Sequence, residues 1–250
     1  MAMDDQVKKK KKRRKKNYFL RLLLIIALGA GLYYFLNTSF FDVRVIAVEN
    51  NNYYTRGQII SKGDVKTGEN IFRVKTNLIK GILLEDTYIK NVRVKRKLPE
   101  TIVITVEERS ESAAVPYSDF FIIIDKDGLV LRKTGNEPKM PHIVGITIET
   151  MEEGQPLEVE ETGALTAALK MLDTMEKTGI FFQMIDISRI TVKAFIFDRL
   201  VCEGTPENII ESMESGNLET VLYNLYTQGI ERGIIYVGSD NYYSFNPMID

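Results

Sequence analysis

The first 36 residues constrain this chain more than any other segment. Nine consecutive basic residues, Lys8 to Lys16, precede an uncharged apolar stretch, Leu22 to Leu36, which extends backwards to Tyr18 around a single charge at Arg21. Taken from Tyr18, this segment is roughly 28 Å long as a helix, close to the hydrocarbon thickness of a bilayer. The pattern predicts a basic tail over residues 1–17 and a transmembrane helix over residues 18–36.

The distribution of charge predicts the orientation of that helix. Residues 1–36 carry a net charge of +8 while the whole chain carries −1, so the remainder carries −9. A basic flank is retained in the cytoplasm because moving nine cations across an energised membrane is costly. Tyr33, Tyr34 and Phe35 form an aromatic belt at the opposite end. We predict a single-pass protein of the cell membrane with a cytoplasmic N-terminus and an extracytoplasmic C-terminus.

Two alternatives to a retained anchor are less well supported. A cleaved signal peptide needs a small-x-small site, and Leu32 to Asn37 offers none. Nucleic-acid binding is a second interpretation of the basic run, but a cationic run beside a membrane span is more typical of a topology signal with affinity for anionic lipid. Ala27 and Gly31 have a spacing that favours close approach of a partner helix, although small residues are common in such spans.

Residues 40–109 alternate between strand and helix patterns. Val43 to Val48 reads as a strand, Thr55 is a candidate cap for a short helix, and Leu78 to Leu83 recur at helical spacing. Val92 to Val106 then reads as two strands about a turn at Pro99, where the missing N–H breaks no ladder bond. The predicted order is βααββ.

The run from Asn91 to Arg109, N-V-R-V-x-R-x-x-P-x-T-I-x-I-x-V-x-E-R, resembles a POTRA domain. With the βααββ order and a position just outside a membrane anchor, it is more narrowly similar to the FtsQ/DivIB family of bacterial cell-division proteins. Another small α+β domain is the alternative interpretation.

Residues 113–246 resemble the β-domain that follows POTRA in that family. The matching features are the hairpin at Asp125 to Gly128, the Met-Pro-x-Ile-x-Gly run from Met140, a helix from Ala164 to Met175 ended by Gly179, and terminal strands near 233–237 and 242–246. Further strands are predicted at 190–192, 195–197 and 200–201, with a doubtful register around Cys202. The predicted fold class is therefore α+β: a transmembrane helix, a POTRA domain (40–109), a mixed or antiparallel β-domain with flanking helices (113–246), and a short tail (247–250).

The sequence predicts no enzyme. His142 is the only histidine and Cys202 the only cysteine, which excludes a histidine-rich metal site and an internal disulfide, and both residues are expected to be structural. Asp125 to Gly128 lacks the further oxygen ligands of a calcium loop. The adjacent acid pairs Glu107-Glu108, Glu152-Glu153 and Glu160-Glu161 are typical of solvated charge. No cofactor, metal, small-molecule substrate or nucleic acid is expected.

The resemblance implies a non-catalytic divisome scaffold at the division septum. Its implied partners are small bitopic division proteins of the FtsL and FtsB/DivIC type, and other divisome components, captured along the C-terminal strand. The implied partner-binding residues are Tyr236, Tyr243, Ser244 and Phe245. These aromatic residues could instead close the core, since alternate residues of a strand face opposite ways. The other functional interpretations are a POTRA-containing export or surface-assembly component and a membrane-tethered hydrolase, which would need an acid/base constellation that the sequence does not offer.

Overall fold

The computed structural model describes residues 18–240 and 242–248. The predicted basic tail and the last two residues of the C-terminal tail therefore lie outside the described residues. Helix α1, Tyr18–Leu36, forms over the predicted span and buries none of its residues against the rest of the protein. Within the described residues, it is the one helix long and apolar enough, by length and composition, to cross a membrane.

The first unit has the predicted βααββ order. Its elements are β1 (Val45–Glu49), α2 (Arg56–Lys62), α3 (Thr76–Leu84), β2 (Ile89–Lys97) and β3 (Thr101–Glu108). The three strands form a sheet in the order β1-β3-β2, with β1 parallel and β2 antiparallel to β3. Helix α2 begins as the sequence predicts, because the Thr55 hydroxyl accepts the backbone N–H of Gln58 and the Gln58 side chain accepts that of Thr55. The apolar faces of both helices and of the sheet form one core.

The second unit is a nine-stranded mixed sheet with helices contributing to its core. Its strands are β4 (Ala113–Tyr117), β5 (Phe120–Ile124), β6 (Val130–Thr134), β7 (His142–Val144), β10 (Met184–Asp186), β11 (Val192–Phe197), β12 (Leu200–Gly204), β13 (Gly233–Val237) and β14 (Tyr243–Asn246). The helices are α4 (Thr162–Thr178), α5 (Pro206–Glu214) and α6 (Asn217–Thr227), and β8 (Ile148–Thr150) pairs with β9 (Glu158–Val159) in a separate ribbon. The strand order is β14-β13-β12-β11-β10-β7-β4-β5-β6. The α+β fold class is confirmed, while the exact domain boundaries stay predictions.

One local prediction differs from the structure, and one open question of register is answered by it. The strands predicted at 190–192 and 195–197 are one strand, β11, and Ile190 lies before it with 92 % of its surface exposed. The apolar Ile190 suggested a strand, but single apolar side chains are often exposed in loops and do not identify a strand. The register around Cys202 is now defined, since Cys202 lies opposite Ala194 on one side and Ile235 on the other.

Several polar contacts join the two units, including a longer one between Arg109 Nη1 and Asp127 Oδ2 at 3.4 Å. Arg109 Nη1 lies 2.6 Å from the carboxylate of buried Asp125, and Lys90 Nζ lies 2.6 Å from Asp127 Oδ2. The Tyr88 hydroxyl donates to Glu111 at 2.7 Å. Both oxygens of Glu111 also accept hydrogen bonds from the Arg132 guanidinium, at 2.7 and 3.0 Å. The two acids of the predicted hairpin turn, Asp125 and Asp127, therefore form ion pairs with Arg109 and Lys90 of the first unit.

We expect Glu111→Gln to destabilise this junction only when the carboxylate is charged. The Arg132 guanidinium, helped by Tyr88 and opposed by burial, holds the pKa of Glu111 below its ordinary value. A depressed pKa stabilises the folded state above the ordinary glutamate value, and this stabilisation is lost as pH falls through the depressed one. Thermal unfolding should therefore show a deficit of about 1 kcal/mol for the variant at pH 7, closing below about pH 4. A deficit that persists unchanged at low pH would contradict the charge-based explanation.

Candidate partner-binding edge

Strand β14 is one of the two outermost strands of the nine-stranded sheet. It pairs with β13 alone, in an antiparallel register that places Val237 opposite Tyr243, Tyr236 opposite Ser244 and Ile235 opposite Phe245. An outermost strand presents backbone N–H and C=O groups that no neighbour in its own sheet satisfies. All four residues implied by the family resemblance lie on this strand pair.

The opposite edge of the sheet is partly covered. The segment 154–157 pairs along the start of β6: Val130 N–H donates to Gln155 C=O at 2.9 Å and Gly154 N–H donates to Val130 C=O at 2.9 Å. The remainder of β6 carries Arg132 and Lys133, and charged side chains disfavour added strands. Of the two edges, β14 is the one to which an additional strand can pair along its whole length.

The register determines which backbone groups of β14 are open. Gly238 N–H donates to Tyr242 C=O at 2.8 Å, so this pair is a hydrogen-bonded pair of the ladder. Hydrogen-bonded and non-hydrogen-bonded pairs alternate between antiparallel strands. Tyr236 and Ser244 are therefore bonded to each other, whereas the N–H and C=O groups of Tyr243 and Phe245 point away from β13. A partner strand would bond to the backbone of these two residues.

The side chains of the four implied residues divide between the two faces of the sheet. Tyr243 and Phe245 are half-buried against the core, and the Tyr243 hydroxyl lies 2.6 Å from Ser212 Oγ of α5. Tyr236 and Ser244 are exposed on the other face. The rings of Tyr243 and Phe245 thus help close the core, while the backbone of both residues forms the outer edge of the sheet.

Gly233 allows β14 to lie close to β13. Its φ is +144°, and a Cβ at this position would lie 2.5 Å from the Phe245 ring and 2.8 Å from the carbonyl oxygen of Asn246. Only glycine adopts this conformation readily and leaves room for the ring. The first residue of β13 therefore positions the edge strand.

The other candidate functional residues do not assemble into a chemical site. His142 in β7 and Cys202 in β12 are three strand spacings apart, or about 14 Å, which is too far for a dyad. Burial raises the pKa of the Cys202 thiol to about 12. Glu108, one of the acids predicted to be solvated, instead accepts the backbone N–H groups of Asn52, Tyr53 and Tyr54. In residues 18–240 and 242–248, no cluster of His, Cys, Asp and Glu could hold a metal ion.

Comparison with known proteins agrees with this architecture. Residues 41–109 match the family described as POTRA domain, FtsQ-type. The chain is 29% identical to the cell division protein DivIB of Clostridium acetobutylicum over 181 residues, 71% of this chain and 73% of that protein. It is 29% identical to the cell division protein FtsQ of Syntrophotalea carbinolica over 157 residues, 62% of this chain and 54% of that protein.

The chain is thus similar to cell division proteins named DivIB and FtsQ, and its first unit matches the FtsQ-type POTRA domain. A third relative, DivIB of Clostridium tetani, is 32% identical over 120 residues, 47% of this chain and 45% of that protein. The chain thus spans about half the length of this relative and of the FtsQ protein above. The family match falls on the βααββ unit, and the apolar helix α1 before it is consistent with a membrane anchor.

Sequence reasoning missed two features of the edges of the large sheet. The phase of the β14 hydrogen bonds depends on the pairing of Gly238 with Tyr242, which no alternation of apolar residues reveals. Residues 154–157 pair with β6 although the two segments are far apart in sequence. The only local sign of this pairing is Gly154, a turn residue with φ +81°.

Proposed function

We propose that this protein is a non-catalytic scaffold of bacterial cell division, anchored by α1 with its N-terminus in the cytoplasm. Its extracytoplasmic units hold small bitopic division proteins of the FtsL and FtsB/DivIC type at the septum. The observation that carries the proposal is the open β14 edge in a chain whose relatives are cell division proteins. The names of these relatives favour division over the export interpretation.

The mechanism of capture is strand addition. An extended partner segment pairs with the outward N–H and C=O groups of Tyr243 and Phe245, and main-chain hydrogen bonds supply affinity. Tyr236 and Ser244 offer side chains to the partner on the exposed face, while the other face is closed by the core. The side chains on the exposed face therefore contribute specificity.

The decisive test compares Phe245→Pro with Phe245→Ala. Both variants lose the ring, but only proline also removes the outward N–H, and neither breaks a hydrogen bond to β13. We expect the proline variant to bind purified extracytoplasmic segments of the small bitopic proteins roughly fivefold to tenfold more weakly than the alanine variant, the worth of one net hydrogen bond. Circular dichroism checks that both variants are folded. Equal affinities of the two variants would exclude strand addition at β14.

A further inference from the structure

Helix α1 does not end in a free linker but is held by the first unit. The carbonyl of Leu36 accepts a hydrogen bond from Asn70 Nδ2 at 2.8 Å, and Asn37 Oδ1 accepts one from Arg73 at 2.7 Å. The Phe35 ring also meets the buried Phe41 ring edge-on at 5.3 Å. These contacts fix the βααββ unit relative to the end of the helix.

The topology shows which end of the unit lies beside the helix. Arg44 and Val45, at the start of β1, donate their N–H groups to Glu100 C=O at 2.9 and 3.2 Å. The turn between β2 and β3, which contains Leu98, therefore lies at the end where the chain leaves α1. The Arg96 guanidinium donates to the carbonyls of Ile71 and Val74 at 2.8 and 2.6 Å, which brings the intervening residue 72 to the same end.

The exposed apolar side chains at this end include Phe40 (54 %), Phe72 (42 %) and Leu98 (56 %). The Phe40 ring stacks on Phe35 at 6.2 Å, so it continues the apolar surface of α1, and the Phe72 ring lies 5.2 Å from Phe41. We name these three residues the proximal apolar cluster. Phe40 lies only four residues beyond the last residue of α1.

We propose that the proximal apolar cluster inserts into the interfacial layer of the bilayer that α1 crosses, so that the POTRA-type unit rests directly on the membrane. The inference depends on the proposed role of α1 as a span. A bilayer is the occupant because the cluster is continuous with α1 and is held beside the end of the helix. Aromatic side chains favour the interfacial layer, where apolar area is removed from water without crossing the hydrocarbon core.

Charge at this end is of mixed sign. Cations such as Arg44, Arg73, Arg96 and Lys97 lie there with the acids Asp42, Glu69 and Glu100, and Arg44 pairs with Glu100 at 2.8 Å. The proposed contact is therefore carried by the apolar side chains and does not require anionic lipid.

The absence of tryptophan from the sequence allows a site-specific test. The full chain is reconstituted into phosphatidylcholine vesicles whose acyl chains are brominated near their upper end, with one tryptophan introduced at a time. Phe72→Trp and Leu98→Trp report on the cluster. Tyr226→Trp, on the exposed face of α6, is the control for a residue away from the membrane, and Leu28→Trp, in the middle of α1, reports on the span.

We expect Phe72→Trp and Leu98→Trp to lose emission in brominated vesicles relative to unbrominated ones, and Tyr226→Trp to lose none. Leu28→Trp must also be quenched, most strongly by bromine placed deeper in the acyl chain. Quenching of Leu28→Trp alone would overturn the membrane contact and leave the span intact. Absence of quenching at Leu28→Trp would overturn the span, and with it the contact.

Discussion

Arg109→Ala should lower the free energy of unfolding by about 3 kcal/mol at neutral pH, because it leaves a buried carboxylate without its counter-ion. Asp125 is 2 % exposed, and its remaining partners are the backbone N–H groups of Asp127 and Leu129, each at 2.9 Å. Because these two hydrogen bonds remain, the expected loss of stability is near the lower end of the range for breaking a buried ion pair. Urea unfolding of the extracytoplasmic part, followed by circular dichroism, measures the loss.

The matched control is Arg44→Ala, which breaks an ion pair of similar length in the first unit. The side chains of Arg44 and Glu100 are 63% and 33% exposed, so solvent screens the pair and its loss should cost at most about 1 kcal/mol. Combining Arg109→Leu with Asp125→Asn should recover part of the stability lost in Arg109→Ala, since no buried charge is then left unpaired. Equal losses for Arg109→Ala and Arg44→Ala would show that burial of Asp125 does not govern this junction.

Gly233→Ala should separate β14 from β13 and weaken partner binding. The added Cβ meets the Phe245 ring at 2.5 Å and a backbone oxygen at 2.8 Å, and φ of +144° is itself strained for alanine. Such overpacking and strain cost about 1–3 kcal/mol, and a four-residue edge strand can release this strain by detaching. We expect binding of the small bitopic partners to weaken by tenfold or more, since about 1.4 kcal/mol corresponds to a factor of ten.

Gly163→Ala in α4 is the control, because a Cβ there meets no atom within 4 Å. It should leave partner binding unchanged and slightly stabilise the helix. Hydrogen exchange at β13 and β14 distinguishes local detachment from global unfolding. Wild-type affinity in a Gly233→Ala variant with an exchanging, detached β14 would locate the partner interface elsewhere.

The elements that the sequence predicts well are those with a local signal. Thr55 and Gln58 form a reciprocal cap, Gly179 ends α4 with φ +75°, and Pro206 begins α5. The alternation of Ile102, Ile104 and Val106 predicts a buried face, and all three are at most 1 % exposed. In each case, the residue type itself limits the backbone or the burial that the chain can adopt.

Features that depend on distant segments were not predictable. Strand β4, Ala113–Tyr117, contains Pro116 and little alternation, yet it is central because β5 and β7 pair on either side. The sequence predicts Asp125 and Asp127 as turn residues, but no local pattern predicts their ion pairs with Arg109 and Lys90. For the candidate edge, the sequence identifies the strand. Only the register with β13 shows that Tyr236 and Ser244 lie on one face of the sheet and Tyr243 and Phe245 on the other.

The unequal edges of the large sheet have a consequence for stoichiometry. A sheet with two open edges can add copies of itself end to end without limit. Here residues 154–157 cover the start of β6, and Arg132 and Lys133 follow, so growth through that side is blocked. Within the described residues, the large sheet therefore offers one open edge, at β14, and the proposed strand addition there would give a one-to-one complex rather than a polymer.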